Sequence, residues 1–423
     1  MFRSEKTRRD FLRLSAAGVG TVSLSGWLKV LAGHTASEGS SPSARKHKSC
    51  ILLWMDGGPS HKDTFDLKPD SKGAGDFKPI STSALGVQIS EHLPQLAKRM
   101  HHGVLVRGMS TPEGAHPRAK YNLHTGYREG QGGLVYPSLG AIVSAEIGDP
   151  KAAVPNFVSI GNRSFGSGFL GPKHQPLIVT TPSRGVEDLK AAVTDRQFAN
   201  RLGLLDQMEK AFYHEYRAGA AVDHKTTYER AVGLMKSKEA KAFDLSREPS
   251  AAKEKYGSGR FAEGVLMARR LVEVGVPFVE VTLGGWDTHQ DNFARVKSLS
   301  GQVDAATAAL LDDLKDRGLL DSTLVVWMGE FGRTPGINPT GGRDHFPVAW
   351  STVLAGAGVK GGQAVGKTAE DGMTVADHPV SVVDFLATVF SAVGVDPSKE
   401  NNTPEGRPIV LVKGGTVIKE LVG

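Results

Sequence analysis

Six short stretches of the chain are predominantly apolar: Cys50–Met55, Gly103–Val106, Phe157–Ile160, Pro277–Leu283, Thr323–Met328 and Ala349–Leu354. Runs of this length, bounded by Gly, Pro and polar turns, predict buried strands. A helical period separates several of them. Leu202, Leu205, Met208 and Phe212 predict helix within residues 196–245, and Phe261–Val274 predicts a helix leading into the strand at Pro277. Val303–Leu314 and Val380–Val393 predict two more. Strands separated by helices or long loops predict a mostly parallel sheet covered on both faces. Glycine-rich loops at 161–171 and 356–366 hold many of the 51 glycines. There is no internal repeat, and no linker divides the core. Residues 49–423 are therefore expected to form a single α/β domain with a helical segment near 196–274.

The first residues follow a different pattern. TRRDFLR at 7–13 precedes the weakly apolar LSAAGVGTVSLSGW and then the polar tract HTASEGSSPSARKHKS. Paired Arg8 and Arg9, followed by Phe11 and Leu12, resemble a bacterial twin-arginine export signal. The alternative, an amphipathic first helix, is weakened by Gly18 and Gly20. The expectation is a signal over residues 1–36, with cleavage near Ala36 or an uncleaved anchor, and a polar linker over 37–48. Its partner would be the twin-arginine export machinery, and its destination the periplasm or cell envelope. No integral membrane domain is expected, because Lys29 interrupts the one candidate span. The single cysteine, Cys50, cannot form an intramolecular disulfide, so an exported chain must rely on its core.

The formal charge of +6 changes little once located. Residues 1–50 hold nine Lys and Arg against three acids, an excess that accounts for the whole net charge and leaves 42 bases against 42 acids. The remainder carries no global basic field to hold a phosphate backbone, which argues against nucleic acid as a partner.

Three predicted strands end in loops rich in acids and histidines. The first gives Asp56 in WMDGGPSHKDTFD, with Ser60, His61, Asp63 and Asp66 behind it. The second gives Asp287, His289 and Asp291 in GGWDTHQDN, and the third gives Glu330 and Arg333 in MGEFGRTP. Asp344 and His345 follow in GGRDHFP. Ligand sites in open α/β sheets lie beyond the carboxyl ends of the strands, where such side chains can hold a divalent metal. Asp56, Asp287, His289, Glu330, Asp344 and His345 are the candidate ligands for zinc, manganese, calcium or magnesium. Each has a structural alternative. Asp56 and Asp344 could cap turns, Asp287 could form an Asx-turn, and His289 could be a surface histidine. Glu330 could only pair with Arg333, and His345 could pack on Phe346. His61 and Asp63 read more simply as turn residues, His101 and His102 as a solvated helix end, and Trp286 and Trp327 as core.

GGPSHKDTFDLKP, HTG, GGWDTHQDN, GEFGRTP and GRDHFP, behind a twin-arginine signal, together resemble the bacterial domain of unknown function 1501. That family is grouped with the sulfatases and alkaline phosphatases. The resemblance covers roughly residues 49–415. It implies a three-layer α/β/α sandwich of the alkaline-phosphatase type, export, and one or two divalent metals. It also implies hydrolysis of phosphate or sulfate esters, with an anionic ester or carbohydrate as ligand.

The sequence departs from the sulfatase pattern at the nucleophile. Counting back nine residues from Thr125-Gly126 puts His116 where cysteine or serine is expected, and Cys50 lacks the required context, so a formylglycine step is excluded at this site. Glu330-Phe331 also stands in place of the superfamily's Asp-His pair. Metal-activated water then becomes the expected attacking group. His116 or His124 would act as general acid or base. Ser60 or Thr64 would serve as nucleophile only if a base or metal activated it. Arg118, Lys120 and Arg333 are the candidate anion binders. The missing nucleophile keeps open a non-catalytic relative that binds a metal or ligand, and behind it a structural envelope protein.

Overall fold

The computed structural model describes residues 48–216 and 219–423. The expected export signal at 1–36 and nearly all of the linker at 37–48 lie outside the described residues. The chain divides into two compact units, the larger comprising residues 46–190 and 222–423. Residues 191–221 belong to the other and contain helix Asp195–Tyr216.

The larger unit is organised by a nine-stranded sheet. Its strands are β1 (Ser49–Asp56), β2 (Gly103–Ser110), β3 (Phe157–Ile160), β4 (Leu177–Val179), β5 (Phe278–Gly284), β6 (Thr323–Met328), β7 (Trp350–Gly356), β8 (Gln363–Val365) and β9 (Val380–Ser381). Their order is β8-β2-β7-β6-β1-β5-β3-β4, with β9 beside β2. Every pairing is parallel except the two made by β7.

The central strand shows why this sheet is buried on both sides. Along β1, Ile51, Leu53 and Met55 enter one core, Cys50, Leu52 and Trp54 enter the other, and none is more than 2% exposed. Successive side chains of a strand point to opposite faces, so an uninterrupted apolar run suits a sheet with helices above and below. Each fully buried Leu or Ile contributes about 1.5–3 kcal/mol. Four of the helices that cover the faces, with α1 (His116–Thr125) preceding them in the chain, are α2 (Leu139–Glu146), α3 (Arg260–Glu273), α4 (Asn292–Asp316) and α5 (Val382–Ala392). Phe261 and Leu271 of α3 and Val303 and Leu310 of α4 join the Ile51 side. Leu139 and Ile142 of α2 and Phe385 and Val389 of α5 join the Cys50 side. Ser138 and Ser381 cap α2 and α5 by accepting the N–H groups of Ala141 and Asp384. The result is the expected α/β/α arrangement with a mostly parallel sheet.

The differences have local causes. Helix α4 begins at Asn292, not Val303, because its first turns are polar and hide the period. Val380 and Ser381 form β9 ahead of α5, and the glycine-rich loop at 356–366 contains β8. Strand β4 is the apolar run Leu177–Val179, only three residues long and too short to be read as a strand. Among the described residues, no helix is long and apolar enough to cross a membrane.

Candidate metal centre

Adjacent strands β6, β1 and β5 deliver their carboxyl ends side by side, with Asp56 in register with Gly284. The turn after β1 then needs glycine. Gly57 has φ +117°, and a Cβ there would lie 2.3 Å from the Asp287 nitrogen. This close approach lets Gly57 N–H donate to both oxygens of Glu330, at 3.0 and 3.2 Å. Trp286, 1% exposed, anchors the neighbouring turn and donates its backbone N–H to the Asp56 carbonyl.

Three histidines converge on this edge. His116, at the start of α1, donates Nδ1–H to Glu330 Oε1 at 2.6 Å. His289 donates Nδ1–H to Asp344 Oδ1 at 2.7 Å, and His345 donates Nδ1–H to the Gly114 carbonyl at 2.9 Å. An oxygen acceptor on each Nδ1 leaves the lone pair on Nε2 in the neutral ring. All three Nε2 atoms surround one oxygen, Asp287 Oδ1, at 3.3 Å for His116, 3.2 Å for His289 and 3.5 Å for His345. His289 Nε2 and His345 Nε2 are 3.0 Å apart. Two neutral rings in these tautomers make such a contact only with a proton or a cation between them. The buried His116 Nε2 has no hydrogen-bond partner among the described residues. His116, Asp287 and His345 meet the spacing of a metal-binding group.

Charge at the centre is set by Arg333, which is wholly buried. Its guanidinium donates to the carbonyls of Gly57 and Gly58 and to Asp287 Oδ1, the last at 2.5 Å. Partial burial pushes the Asp287 carboxyl up, but Arg333, His116 and His289 outweigh it and bring it down to about 2. Burial pulls His345 below the ordinary imidazole range, against the upward pull of its hydrogen bond to the Gly114 carbonyl.

The loops are held from behind. Gly332–Arg333 pairs antiparallel with His345–Phe346, setting His345 opposite Arg333. Arg343 makes a two-pronged contact with Asp63, at 2.7 and 2.9 Å, with both side chains fully buried. Asn292 also donates to Asp63, at 2.8 Å. Asn338 Nδ2 and Thr340 Oγ1 donate to the His289 carbonyl.

The six nominated ligands thus take different places. Asp287, His289 and His345 meet at the cluster. Asp344 sits behind His289. Glu330, fully buried, faces His116 and Gly57. Asp56 Oδ1 forms an ion pair with Lys120 Nζ at 2.5 Å and accepts from Trp54 Nε1 at 3.2 Å. Of the nominated acid–base residues, His116 joins the cluster. His124 lies under Trp54, its ring centroid 4.2 Å away, with Nδ1 on the Lys120 carbonyl and Nε2 3.4 Å from Glu280. Burial depresses His124, yet the Glu280 charge and hydrogen bond carry it above its usual value. Ser60 is buried, its hydroxyl without a partner among the described residues, and Thr64 bonds back to the Ser60 carbonyl. Arg118 points to solvent on Glu113. Arg343, Asn338, Gly114 and Glu280 were not singled out by sequence. Arg343 stood inside GGRDHFP beside two nominated residues, the nearest thing to a signal.

Residues 47–422 match the protein family described as "Protein of unknown function (DUF1501)". The chain belongs to the DUF1501 family. No curated protein matches it. Among solved structures, this DUF1501 chain is similar to the PsFucS1 sulfatase from Pseudoalteromonas sp. at 13% identity and TM-score 0.36, over 87% of this chain and 70% of that one. It is also similar to the lipoteichoic acid synthase LtaP from Listeria monocytogenes at 12% identity and TM-score 0.38, over 93% and 82%.

Proposed function

We propose that this DUF1501 protein is an exported, metal-dependent hydrolase of phosphate or sulfate esters. One observation carries the reading: three imidazole Nε2 atoms, each freed by an oxygen on its Nδ1, face a single carboxylate oxygen. His116, His289, His345 and Asp287 would hold the ion. Three nitrogens and one oxygen suit zinc or manganese better than calcium or magnesium, which favour all-oxygen sites. When bound, such an ion supplies Lewis acidity toward an ester oxygen and makes water more acidic. The chain's own residues supply the preorganisation. Glu330 and Asp344 fix the tautomers of His116 and His289, and Arg333 keeps Asp287 ionised at neutral pH. Half-exposed Asp287 leaves the centre open to solvent.

The alternative, a metal-binding relative without catalysis, is favoured by the nucleophile slot. His116 fills it, with one nitrogen committed to Glu330 and the other turned into the cluster. Elemental analysis of the purified protein followed by phosphate- and sulfate-ester turnover assays separates the two. Bound metal with turnover supports the hydrolase, bound metal without turnover supports the relative, and failure to bind metal after reconstitution overturns both.

A further inference from the structure

Helix α1 opens with His116 and carries His124 eight residues on, about 12 Å along the axis. Its N-terminus has no side-chain cap, and of its buried side chains only Ala119 and Leu123 are aliphatic. Polar contacts to the sheet hold it instead: His116 to Glu330, Lys120 to Asp56 and His124 to Glu280. The last pair is the buried one, each side chain 3% exposed, whereas Lys120 and Asp56 stay partly open to solvent. Glu280 lies opposite Leu52 of β1 and Ser159 of β3, inside the sheet. Its Oε2 accepts the Ser164 hydroxyl at 2.5 Å, and its Oε1 faces His124 Nε2 at 3.4 Å. The other ring nitrogen, Nδ1, faces the Lys120 carbonyl at 2.8 Å. A carbonyl only accepts, so Nδ1 carries a proton; an ionised carboxylate on Nε2 makes the ring an imidazolium. The other described neighbours of the pair are Trp54, 4.2 Å from the ring, Phe165, 4.9 Å from it, and buried Cys50, none of them cationic. Burial pushes the Cys50 thiol up, and the Glu280 charge pushes it further. Glu330 adds a weaker upward pull on His124 from the end of β6.

We propose that His124 is a positioning residue: as the imidazolium partner of Glu280 it seats α1 on the sheet at the height that presents His116 to Glu330 and to the cluster. A buried carboxylate without a counter-charge draws in water or displaces what covers it, and α1 is what covers Glu280. A helix moves as a rigid element, so a shift at the His124 turn is carried to His116. The Glu280 charge and hydrogen bond outweigh burial and hold the His124 ring above its ordinary value of 6.5. The pair is therefore fully charged below pH 6.5, and the seat loosens as pH rises through the raised value. The effect on metal affinity rests on the metal reading above; the seating of His116 on Glu330 does not.

The test uses the full chain, its His124→Leu and Glu280→Gln variants, and the two combined. Nuclear magnetic resonance of ring-labelled histidine follows each imidazole, assigned from the signals that His124→Leu and His116→Gln remove. In wild type the His124 ring should titrate above 6.5, and in Glu280→Gln below it, because burial then dominates. The short His116–Glu330 hydrogen bond gives a far-downfield N–H signal without any metal. That signal should shift or broaden in His124→Leu and return in the combined variant, which leaves no charge behind in the interior. Zinc affinity, from competition with a chromogenic chelator, should fall on the order of tenfold in His124→Leu and recover in the combined variant. Lost packing would not be repaired by changing Glu280, so recovery identifies the stranded charge as the cause. Failure of His124→Leu to fold, with the combined variant folded, would show the same dependence. A wild-type His124 ring titrating at or below 6.5 would overturn the ionic pair. An unmoved His116 signal with unchanged zinc affinity in His124→Leu would overturn the positioning role. A wild-type chain that takes up no zinc overturns the metal reading alone, while the His116 signal still decides the seating of α1.

Discussion

Glu330 accepts the Nδ1–H of His116 at 2.6 Å while its carboxylate also receives Gly57 N–H, so one fully buried acid ties the ends of β6, β1 and α1 together. Its role in the proposed site is to aim an imidazole, a relationship that in metal centres governs affinity through ring orientation and basicity. Glu330→Ala is expected to weaken zinc binding about 10–100-fold, and Glu330→Gln, which keeps an acceptor for Nδ1–H, to lose less. Competition with a chromogenic chelator measures both. Equal affinities in wild type and Glu330→Ala would remove Glu330 from the site.

Asp287 and Asp56 should behave differently, although each lies at a strand end beside a glycine turn. Asp287 Oδ1 lies at the meeting point of three imidazoles, whereas Asp56 Oδ1 is held by Lys120 and Trp54. Asp287→Ala should abolish tight zinc binding and Asp56→Asn should retain it. Elemental analysis after dialysis decides, and zinc loss in Asp56→Asn would place that carboxylate among the ligands.

The scaffold makes a prediction independent of metal. Asp63 and Arg343 are both fully buried and joined through two hydrogen bonds, with Asn292 adding a third to the same carboxylate. Removing one member strands the other charge in the interior, which costs about 3–5 kcal/mol. Arg343→Met should therefore lower unfolding free energy by that amount in urea, and Arg343→Met with Asp63→Asn should recover part of it. A single variant as stable as wild type would show that the pair does not brace the loop carrying Asp344 and His345.

These pairs explain what the sequence could and could not disclose. Asp287, His289 and His345 were legible because each lies in a polar loop close behind a strand or motif, and a strand end in a parallel sheet is where ligands collect. The adjacency of β6, β1 and β5 was not legible, since their order depends on crossovers that no local pattern encodes. A carboxylate after a strand also looks the same whether it faces an ion, an imidazole or an ammonium. The partner that marks Glu330 is His116, 214 residues away, and the one that marks Asp287 is Arg333, 46 residues away. His116 itself was read from a spacing rule as an acid–base group, and only the tautomer fixed by Glu330 turns its Nε2 toward the cluster.

His61 provides the clearest pH signature. Burial is the largest influence on its ring and lowers it from 6.5 to about 4, against the opposing pull of Asp66, the Gly372 carbonyl and Asp63. Its Nε2–H donates to the Gly372 carbonyl at 3.1 Å, and its buried Nδ1 has no partner among the described residues. The native ring is therefore neutral, and the unfolded chain binds the proton first as pH falls. Unfolding free energy must rise with pH wherever the unfolded state holds more protons. The stability this neutral ring contributes is complete above pH 6.5 and is lost as pH falls from there to about 4. A gap of that size corresponds to about 3 kcal/mol. Urea unfolding of wild type and His61→Gln at pH 7.5, 5.5 and 4.5 isolates the contribution, because other titrating groups are common to both. Wild type should lose more stability than the variant between the first and last of these conditions. Parallel losses in the two proteins would show that the His61 ring is protonated as readily in the native state as in the unfolded chain.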